Sequence, residues 1–299
     1  MRQFIFPSEL TCLLLCFLIF LGACQSSDEK QSENSRQGGT NRSQYQTKAH
    51  IPCFVYDRFG KDKNPSTNIA IDSFKAHLKY LKQDDFTVLT MGEAIHKIKT
   101  DQNILDKAVG LTVDDGYKTF KTGSMPLLKK FGYSATLFVN TETVGGSNYL
   151  TRDQLQELEK KGIEIGNHSH SHAHFVNREG QEGKEFFISD VSIAQAMFKK
   201  KLGAKPSLFA YPYGEYIPSM QSALKQMDFK AATALKSGVL NATSDMFAIP
   251  RFPIAANFAE LKRFGEKANM TGMPVGNENS ETTIVDKNKA LKGCFEICG

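Results

Sequence analysis

Between residues 51 and 268 the sequence alternates short apolar runs with amphipathic stretches, and this alternation limits the chain to a few folds. Short apolar runs are typical of buried strands, whereas apolar residues spaced three and four apart predict helices. The predicted strands cover 51–56, 86–89, 108–113, 133–139, 163–166, 208–211 and 230–235. The predicted helices cover 71–83, 94–98, 125–131, 152–161, 183–202, 217–227 and 257–268. Repeated strand–helix units predict an α/β fold with a mostly parallel sheet or a barrel, in a single domain over residues 49–270.

The composition supports a large folded core and excludes one class of partner. Forty per cent of the 299 residues are apolar and 22 are Phe, which is ample for a core. The net charge of +5 is modest, and no block of Lys and Arg alternates with aromatic residues. We therefore expect no nucleic-acid partner.

The first 24 residues have the character of a targeting segment. Arg2 precedes an apolar stretch at 10–22 that is short for a spanning helix. The stretch ends in Leu21-Gly22-Ala23-Cys24, which resembles the bacterial lipoprotein box, in which the cysteine is lipidated. This resemblance implies an extracytoplasmic protein held at a membrane (in the periplasm, at the outer membrane or at the cell surface) by a lipid anchor on Cys24. A plain secretory signal that contains cysteines is the alternative.

The flanks of the domain differ from it in composition. Residues 25–48 are polar and charged and predict a flexible tether, and residues 271–299 predict a polar C-terminal tail. Cys53 falls in an apolar run, which indicates a buried thiol. Cys294 and Cys298 fit a disulfide or a metal site, and the sequence does not choose between them.

Polar residues follow four of the predicted strands directly. They are Asp57, Asp114-Asp115, Asn167-His168 and Tyr211-Pro212-Tyr213. Because chemistry in such folds gathers at the carboxyl ends of the strands, we expect these residues to meet at one rim.

Histidines stand at every second position of the run NHSHSHAHF, which covers residues 167–175. Alone, such a run also fits a solvated or weakly metal-binding loop, and a single Asp-Asp-Gly also fits an ordinary turn. His168 and His172 lie four residues apart, so both imidazoles can face one point. With a carboxylate they form a three-ligand set that leaves one position open, the pattern of a catalytic zinc-type site.

Three ordered motifs resemble those of the polysaccharide deacetylases, the NodB-homology family or carbohydrate esterase family 4. Thr112-Val113-Asp114-Asp115-Gly116 resembles the family's TFDDG motif, and His168–His172 resembles its H-S/T-x-x-H motif read loosely. Ala210–Gly214 resembles the R-x-P-Y motif. The resemblance spans roughly residues 50–270 and implies the irregular (β/α) barrel of the NodB type.

The resemblance also implies an activity and assigns roles to residues. The activity is metal-dependent hydrolysis of N-acetyl groups from a polysaccharide that contains N-acetylglucosamine, with release of acetate. Asp115, His168 and His172 would hold a divalent metal, and Asp114 would act as the general base. The backbone N–H of Tyr213 would stabilise the oxyanion. His170 and His174 have no role in this scheme and are expected in a supporting shell or at the surface.

The sequence departs from the family pattern at two positions. Ala210 stands where the family has an arginine that orients the base, and Arg251 is the predicted substitute, paired with Asp114; an arginine on a surface loop is the alternative. Asp57 stands where the branch with biofilm poly-N-acetylglucosamine deacetylases has a histidine as general acid. Asp57 can serve as an altered general acid only if burial or Asp114 raises its pKa. The other interpretations make it an extra metal ligand or the mark of a weakened enzyme.

The sequence fits three functions. The first is the metal-dependent N-deacetylase, and the second is a deacetylase-like domain that binds envelope polysaccharide without efficient turnover. The third is a metal-scavenging lipoprotein, which the Asp114-Asp115 pair disfavours because a scavenger needs no base. One carboxylate with two imidazoles suits Zn²⁺, and Co²⁺, Ni²⁺ or Fe²⁺ also fit. Peptidoglycan, poly-β-1,6-N-acetylglucosamine and chitin-like oligomers are the candidate substrates, and the Tyr56-Asp57-Arg58 stretch slightly favours the second.

Overall fold

The structure is a computed structural model that describes residues 50–60, 64–100, 107–178, 180–255 and 259–270. These ranges all lie within one compact unit, Gln46–Gly299. The predicted targeting segment with Cys24, the tether and the tail with its two cysteines lie outside the described residues and stay predictions. Within the described ranges, no helix has the length and apolar character that crossing a bilayer requires.

Strands and helices alternate along the described chain. The strands are β1 (Cys53–Tyr56), β2 (Arg58–Phe59), β3 (Asn68–Ile69), β4 (Thr87–Leu89), β5 (Ala108–Val113), β6 (Thr136–Val139), β7 (Glu164–Asn167), β8 (Leu208–Ala210), β9 (Ala231–Thr233) and β10 (Phe252–Pro253). The helices are α1 (Ile71–Gln83), α2 (Met91–Thr100), α3 (Met125–Phe131), α4 (Arg152–Lys160), α5 (Gly180–Leu202), α6 (Pro218–Gln226) and α7 (Leu261–Ala268). A π-helical turn at Phe120–Ser124 leads into α3.

The main sheet is parallel and curled. Its strand order is β10-β1-β5-β6-β7-β8-β9, and β4 pairs with the first half of β5. Phe252 in β10 pairs with Phe54 of β1, while Ile249 bridges to Thr233 at the other end of the sheet. Segment 249–253 therefore pairs with β1 through β10 and also contacts β9 at the opposite end of the strand order. This curled parallel sheet confirms the predicted α/β fold of the barrel type.

Side chains alternate between two apolar layers along the strands. In β1, Phe54 and Tyr56 pack in the cluster that contains α1, whereas Cys53 packs in the cluster that contains α2. Each buried aliphatic or aromatic side chain contributes roughly 1.5–3 kcal/mol, so both faces anchor the strands. Cys53 is buried as predicted, and burial raises the pKa of its thiol to about 12.

Helix starts follow capping chemistry where the sequence supplies it. Thr151 and Gln154 form the reciprocal bonds of a capping box at the start of α4, as the predicted N-cap requires. Thr90 and Glu93 exchange the same bonds, and α2 consequently begins at Met91 rather than at 94. The predicted boundaries of α5 and α7 were also wrong, because these helices begin at Gly180 and Leu261 rather than at 183 and 257.

Candidate active site

The carboxyl ends of four parallel strands bring the predicted residues to one rim. Asp57 follows β1, Asp114 and Asp115 follow β5, and His168 follows β7. Tyr213 lies in the turn after β8. The predicted convergence is observed, and it follows from the parallel register of the strands, since their carboxyl ends share one edge.

Three side chains form a compact ligand set. The Nε2 atoms of His168 and His172 are 3.1 Å apart, and they lie 3.6 and 3.3 Å from Oδ1 of Asp115. Zinc bonds of about 2.0–2.1 Å at tetrahedral angles put neighbouring ligand atoms about 3.3 Å apart. The three observed distances bracket this value. The residues present therefore fit a divalent metal ion, and they form the only such His, Cys, Asp or Glu cluster in the described part of the chain.

A backbone carbonyl sets the tautomer of the first ligand. Nδ1 of His168 lies 2.8 Å from the carbonyl oxygen of Ala210, so Nδ1–H donates there and Nε2 carries the free lone pair. Burial, followed by the neighbouring His168, lowers the pKa of His172 to about 3. His172 is thus held as a neutral ligand, and the Nε2 atoms of both imidazoles lie toward the same point.

The backbone of the site is conformationally unusual. Six described residues other than glycine have positive φ, and four of them belong to the site: Asp115 (70°), Ser169 (69°), His172 (53°) and Tyr213 (58°). Such conformations cost of order 1–3 kcal/mol each and persist only where the surroundings fix them. The concentration of this strain marks the rim as a functional site.

Arg251 holds Asp114 from behind the ligand set. Its Nη1 and Nη2 donate to the two carboxylate oxygens at 2.7 and 2.8 Å, and Nη1 also donates to Oγ1 of Thr112 at 3.0 Å. Burial of Asp114 opposes its ionisation, but Arg251 and then His168 outweigh burial and lower the pKa of the carboxyl. The predicted pairing is therefore present, with Asp114 held ionised and oriented. The alternative of Arg251 on a surface loop is wrong, because the side chain is fully buried.

Asp57 lies close enough to the other carboxylates to feel their charge. Burial first, then the charges of Asp115 and Asp114, raise the pKa of Asp57 well above its ordinary value, against the opposing effect of Arg251 and Arg58. This is the environment that a carboxyl group needs in order to stay protonated. Asp57 is not part of the compact ligand set, so its interpretation as a further metal ligand gains no geometric support.

The histidine loop depends on a residue that the sequence analysis missed. Asp190 in α5 accepts the backbone N–H groups of His170 and Ser171 at 2.6 and 3.0 Å, and it is 4% exposed. Phe187, Val191 and Ala194 are its buried neighbours on the helix. A charged residue inside an apolar helix stripe is a signal that could have identified it, since buried charges need partners.

The two remaining histidines of the run lie outside the ligand set, as predicted. His170 faces Thr141, with Nδ1 and Oγ1 2.9 Å apart. His174 stacks on the ring of Tyr213 with centroids 3.5 Å apart. Tyr213 itself is 43% exposed at the mouth of the site.

A set of two imidazoles and one carboxylate beside an oriented, ionised carboxylate is the combination that a metal-assisted hydrolase needs. The comparisons with known proteins agree with this class. The family model described as polysaccharide deacetylase matches residues 101–232. The matched region is thus a polysaccharide deacetylase domain of the NodB type, and the family match and the relatives support a deacetylase, a hydrolase.

Relatives and solved structures extend the likeness over most of the described chain. A poly-β-1,6-N-acetyl-D-glucosamine N-deacetylase from Staphylococcus aureus (strain MSSA476) is 24% identical over 224 residues, which cover 71% of this chain and 77% of that protein. The structure of the Streptococcus pyogenes deacetylase PplD in complex with acetate is similar with a TM-score of 0.67 and 20% identity, over 74% of this chain and 99% of that one. IcaB from Ammonifex degensii is similar with a TM-score of 0.66 and 23% identity, over 74% of this chain and 98% of that one. The solved structures show that this chain has the same fold.

Proposed function

We propose that the protein is a metal-dependent deacetylase that hydrolyses N-acetyl groups of a polysaccharide containing N-acetylglucosamine. The observation that carries the proposal is the ligand set of Asp115, His168 and His172 next to the arginine-held Asp114. A scavenger would need the ligands but not an oriented base. The intact pair of carboxylates therefore favours hydrolysis over metal storage.

The residues of the rim divide the work of amide hydrolysis. Asp115, His168 and His172 would hold a divalent ion, which would supply Lewis-acid activation of water and of the acetyl carbonyl. Asp114 accepts the proton of the attacking water, since its lowered pKa keeps it ionised. The backbone N–H of Tyr213 donates to the developing oxyanion, an interaction worth about 3 kcal/mol in related chemistry.

Asp57 is the proposed general acid. Amide hydrolysis requires a proton on the departing amine, and burial with the charges of Asp115 and Asp114 lets the Asp57 carboxyl keep its proton to higher pH than an ordinary aspartate. The proton passes from the Asp57 carboxyl to the sugar nitrogen as the C–N bond breaks, leaving acetate and a free amine.

Zinc is the proposed metal, and poly-β-1,6-N-acetylglucosamine is the proposed polymer. Two imidazole nitrogens and one carboxylate oxygen that lie 3.1, 3.3 and 3.6 Å from one another suit zinc, while Co²⁺, Ni²⁺ and Fe²⁺ accept the same donors. The polymer is the one named for the Staphylococcus aureus relative. The lipobox-like Leu21–Cys24 supports the proposal that a lipid anchor holds the enzyme at a membrane outside the cytoplasm, where such polymers occur.

Acetate release tests the proposal directly. The purified full chain is incubated with poly-β-1,6-N-acetylglucosamine, peptidoglycan or a chitin oligomer, with added zinc, cobalt or chelator. We expect chelator-sensitive release from the first polymer. Release from another polymer would replace the proposed substrate, and release that survives chelation would refute the metal dependence.

The second candidate is a polysaccharide-binding domain with little turnover, and Asp57 in place of a histidine is the observation that favours it. Under this alternative, metal-loaded protein binds the polymer in a sedimentation assay but releases no acetate. Substitution Asp57→His would then be expected to create turnover.

A further inference from the structure

Tyr213 combines exposure with a strained backbone. Its φ of 58° lies in the left-handed region, which β-carbon sterics disfavour for any residue except glycine. The turn that contains it is closed by hydrogen bonds from Gly214 N–H to the carbonyl of Tyr211 and from Glu215 N–H to that of Pro212. A ring that is 43% exposed gains little from core packing, so further contacts are needed to hold it.

His174 supplies such a contact from the neighbouring loop. Its imidazole lies parallel to the Tyr213 ring, with 3.5 Å between centroids and 9° between planes. The same tyrosine ring packs edge-on against the ligand histidine His172, with centroids 4.5 Å apart. The tyrosine is therefore held between a metal-ligand candidate and a histidine that is not a ligand.

Glu215 fixes the outer histidine in turn. Its Oε2 lies 3.0 Å from Nδ1 of His174, and its side chain is 15% exposed whereas that of His174 is 43% exposed. The more buried glutamate thus anchors the more exposed imidazole. Because Glu215 follows Tyr213 by two residues, the contact closes a ring of interactions between the loop after β7 and the loop after β8.

The loop after β7 contacts the β8 segment at two points. At the inner point, Nδ1 of His168 donates to the carbonyl of Ala210, the last residue of β8. At the outer point, His174 contacts Tyr213 and Glu215 in the loop after β8. The second junction does not contribute a ligand atom, so its effect on the site is geometric.

We propose that His174 and Glu215 are positioning residues that fix Tyr213, and with it the backbone N–H that the proposed function assigns to the oxyanion. The inference rests on the proposed function, because it assigns these residues to the same hydrolytic site. Misplacement of a reacting group by about 1 Å costs about 10²-fold in rate. Loss of the stack should accordingly lower kcat rather than weaken binding of the ground state.

Kinetics of three variants test the proposal. His174→Ala is expected to lower kcat by about 10²-fold, with KM and bound metal close to wild type. His174→Phe keeps a flat ring and should recover most of kcat. The kcat of Glu215→Ala should lie between those of His174→Ala and His174→Phe. The matched controls are His96→Ala, at an exposed position in α2, and Glu159→Ala, at an exposed position in α4. Wild-type kcat in His174→Ala, or a loss explained by lower metal content, would overturn the proposal.

A spectroscopic readout separates this inference from the proposed activity. The chain contains no Trp, so Tyr213→Trp introduces a single indole at the stack. We expect its fluorescence anisotropy to fall when His174→Ala is added and to stay high when His96→Ala is added. Equal anisotropy in both double variants would refute the positioning role even if no substrate were turned over. A fall in anisotropy without any acetate release would support the stack while refuting the proposed function.

Discussion

Arg251 and Asp114 form a bidentate pair across 137 residues of sequence, with N–O distances of 2.7 and 2.8 Å. The pair exists because segment 249–253 reaches from β9, at one end of the strand order, to β1. The curl of the sheet thus delivers the guanidinium to the carboxylate. The pairing is the one expected if Arg251 substitutes for the arginine that the family motif has at the position of Ala210.

Arg251→Ala should change the pH dependence of the reaction. Arg251 is a principal reason why the pKa of Asp114 is low, so its removal lets burial raise that pKa. The base is then protonated up to a higher pH, and the acid limb of kcat/KM moves to higher pH. We expect a loss of about 10²-fold or more at neutral pH, measured as kcat/KM against pH.

The control for this variant is Arg263→Ala, which removes an exposed arginine in α7. Breaking a buried pair costs roughly 3–5 kcal/mol, so urea unfolding must show that the Arg251 variant is folded under the assay conditions. Arg251→Lys keeps the charge without the two-pronged geometry and should recover only part of the activity. An unmoved acid limb in folded protein would show that Asp114 is not the base.

Metal binding should require each residue of the ligand set. Wild-type protein is expected to take up one zinc ion per chain and to gain about 2.7 kcal/mol of stability when zinc is at 100 times its Kd. His172→Ala and Asp115→Ala should lose both effects, because each removes one of three ligand atoms that lie together. Metal analysis after dialysis and thermal unfolding with and without zinc provide the measurements. His96→Ala is the matched control, and zinc uptake by His172→Ala equal to that of the control would contradict the site.

Much of the fold was predictable because its elements have strong local signals. Helix α1 has the predicted boundaries, and β5 matches its apolar run. The strands β2, β3 and β10 were missed because each has two residues, which is too short for any periodicity. The pairing of β10 with β1 also joins distant parts of the chain.

The candidate site was predictable where residues of one chemistry follow a strand. Asp114-Asp115 and His168 were singled out this way, and the family resemblance then implied Asp115, His168 and His172 as the ligands that lie together. Asp190 and Glu215 were missed, because their partners are backbone or side-chain groups 20 and 41 residues away in sequence. Spacing in one sequence does not report such contacts.

Asp190→Ala should destabilise the histidine loop. It removes the acceptor for two backbone N–H groups in the loop, and an unsatisfied buried donor costs about 1–3 kcal/mol. We expect unfolding at lower urea concentration and a zinc affinity reduced by about 10–100-fold. Glu185→Ala, at an exposed position of the same helix, is the control. Unchanged zinc affinity in a variant of reduced stability would show that Asp190 contributes to folding stability and not to zinc binding.

Asp57→Asn should separate proton donation from the rest of the chemistry. The amide cannot donate its proton to a leaving amine, so deacetylation of the polysaccharide should fall by about 10²–10⁴-fold. Hydrolysis of 4-nitrophenyl acetate should be little changed, since its leaving group departs without protonation. The wild-type rate should fall as pH rises through the raised pKa of Asp57, and this limb should vanish in the variant. Equal losses on both substrates would show that Asp57 does not act as the acid.

His77 should make the stability of the domain pH-dependent. It is fully buried between the hydroxyl of Tyr56 and the carbonyl of Ala259, and it stacks on Phe264. Burial lowers its pKa from 6.5 to about 4. Between these values the unfolded chain binds the proton and the folded chain does not, so stability is full above pH 6.5 and is lost as the pH falls toward 4, by up to about 3 kcal/mol.

The measurement is the free energy of unfolding in urea at pH 7.5 and at pH 5, for wild-type protein and for His77→Leu. The variant should be less stable at pH 7.5, because it leaves the Tyr56 hydroxyl and the Ala259 carbonyl without this partner. It should also lose less stability on acidification than the wild type, since the other titrating groups are common to both proteins. His96→Leu, at an exposed position, should keep the wild-type dependence. Parallel curves for wild type and His77→Leu would show that His77 does not titrate differently in the folded and unfolded chains.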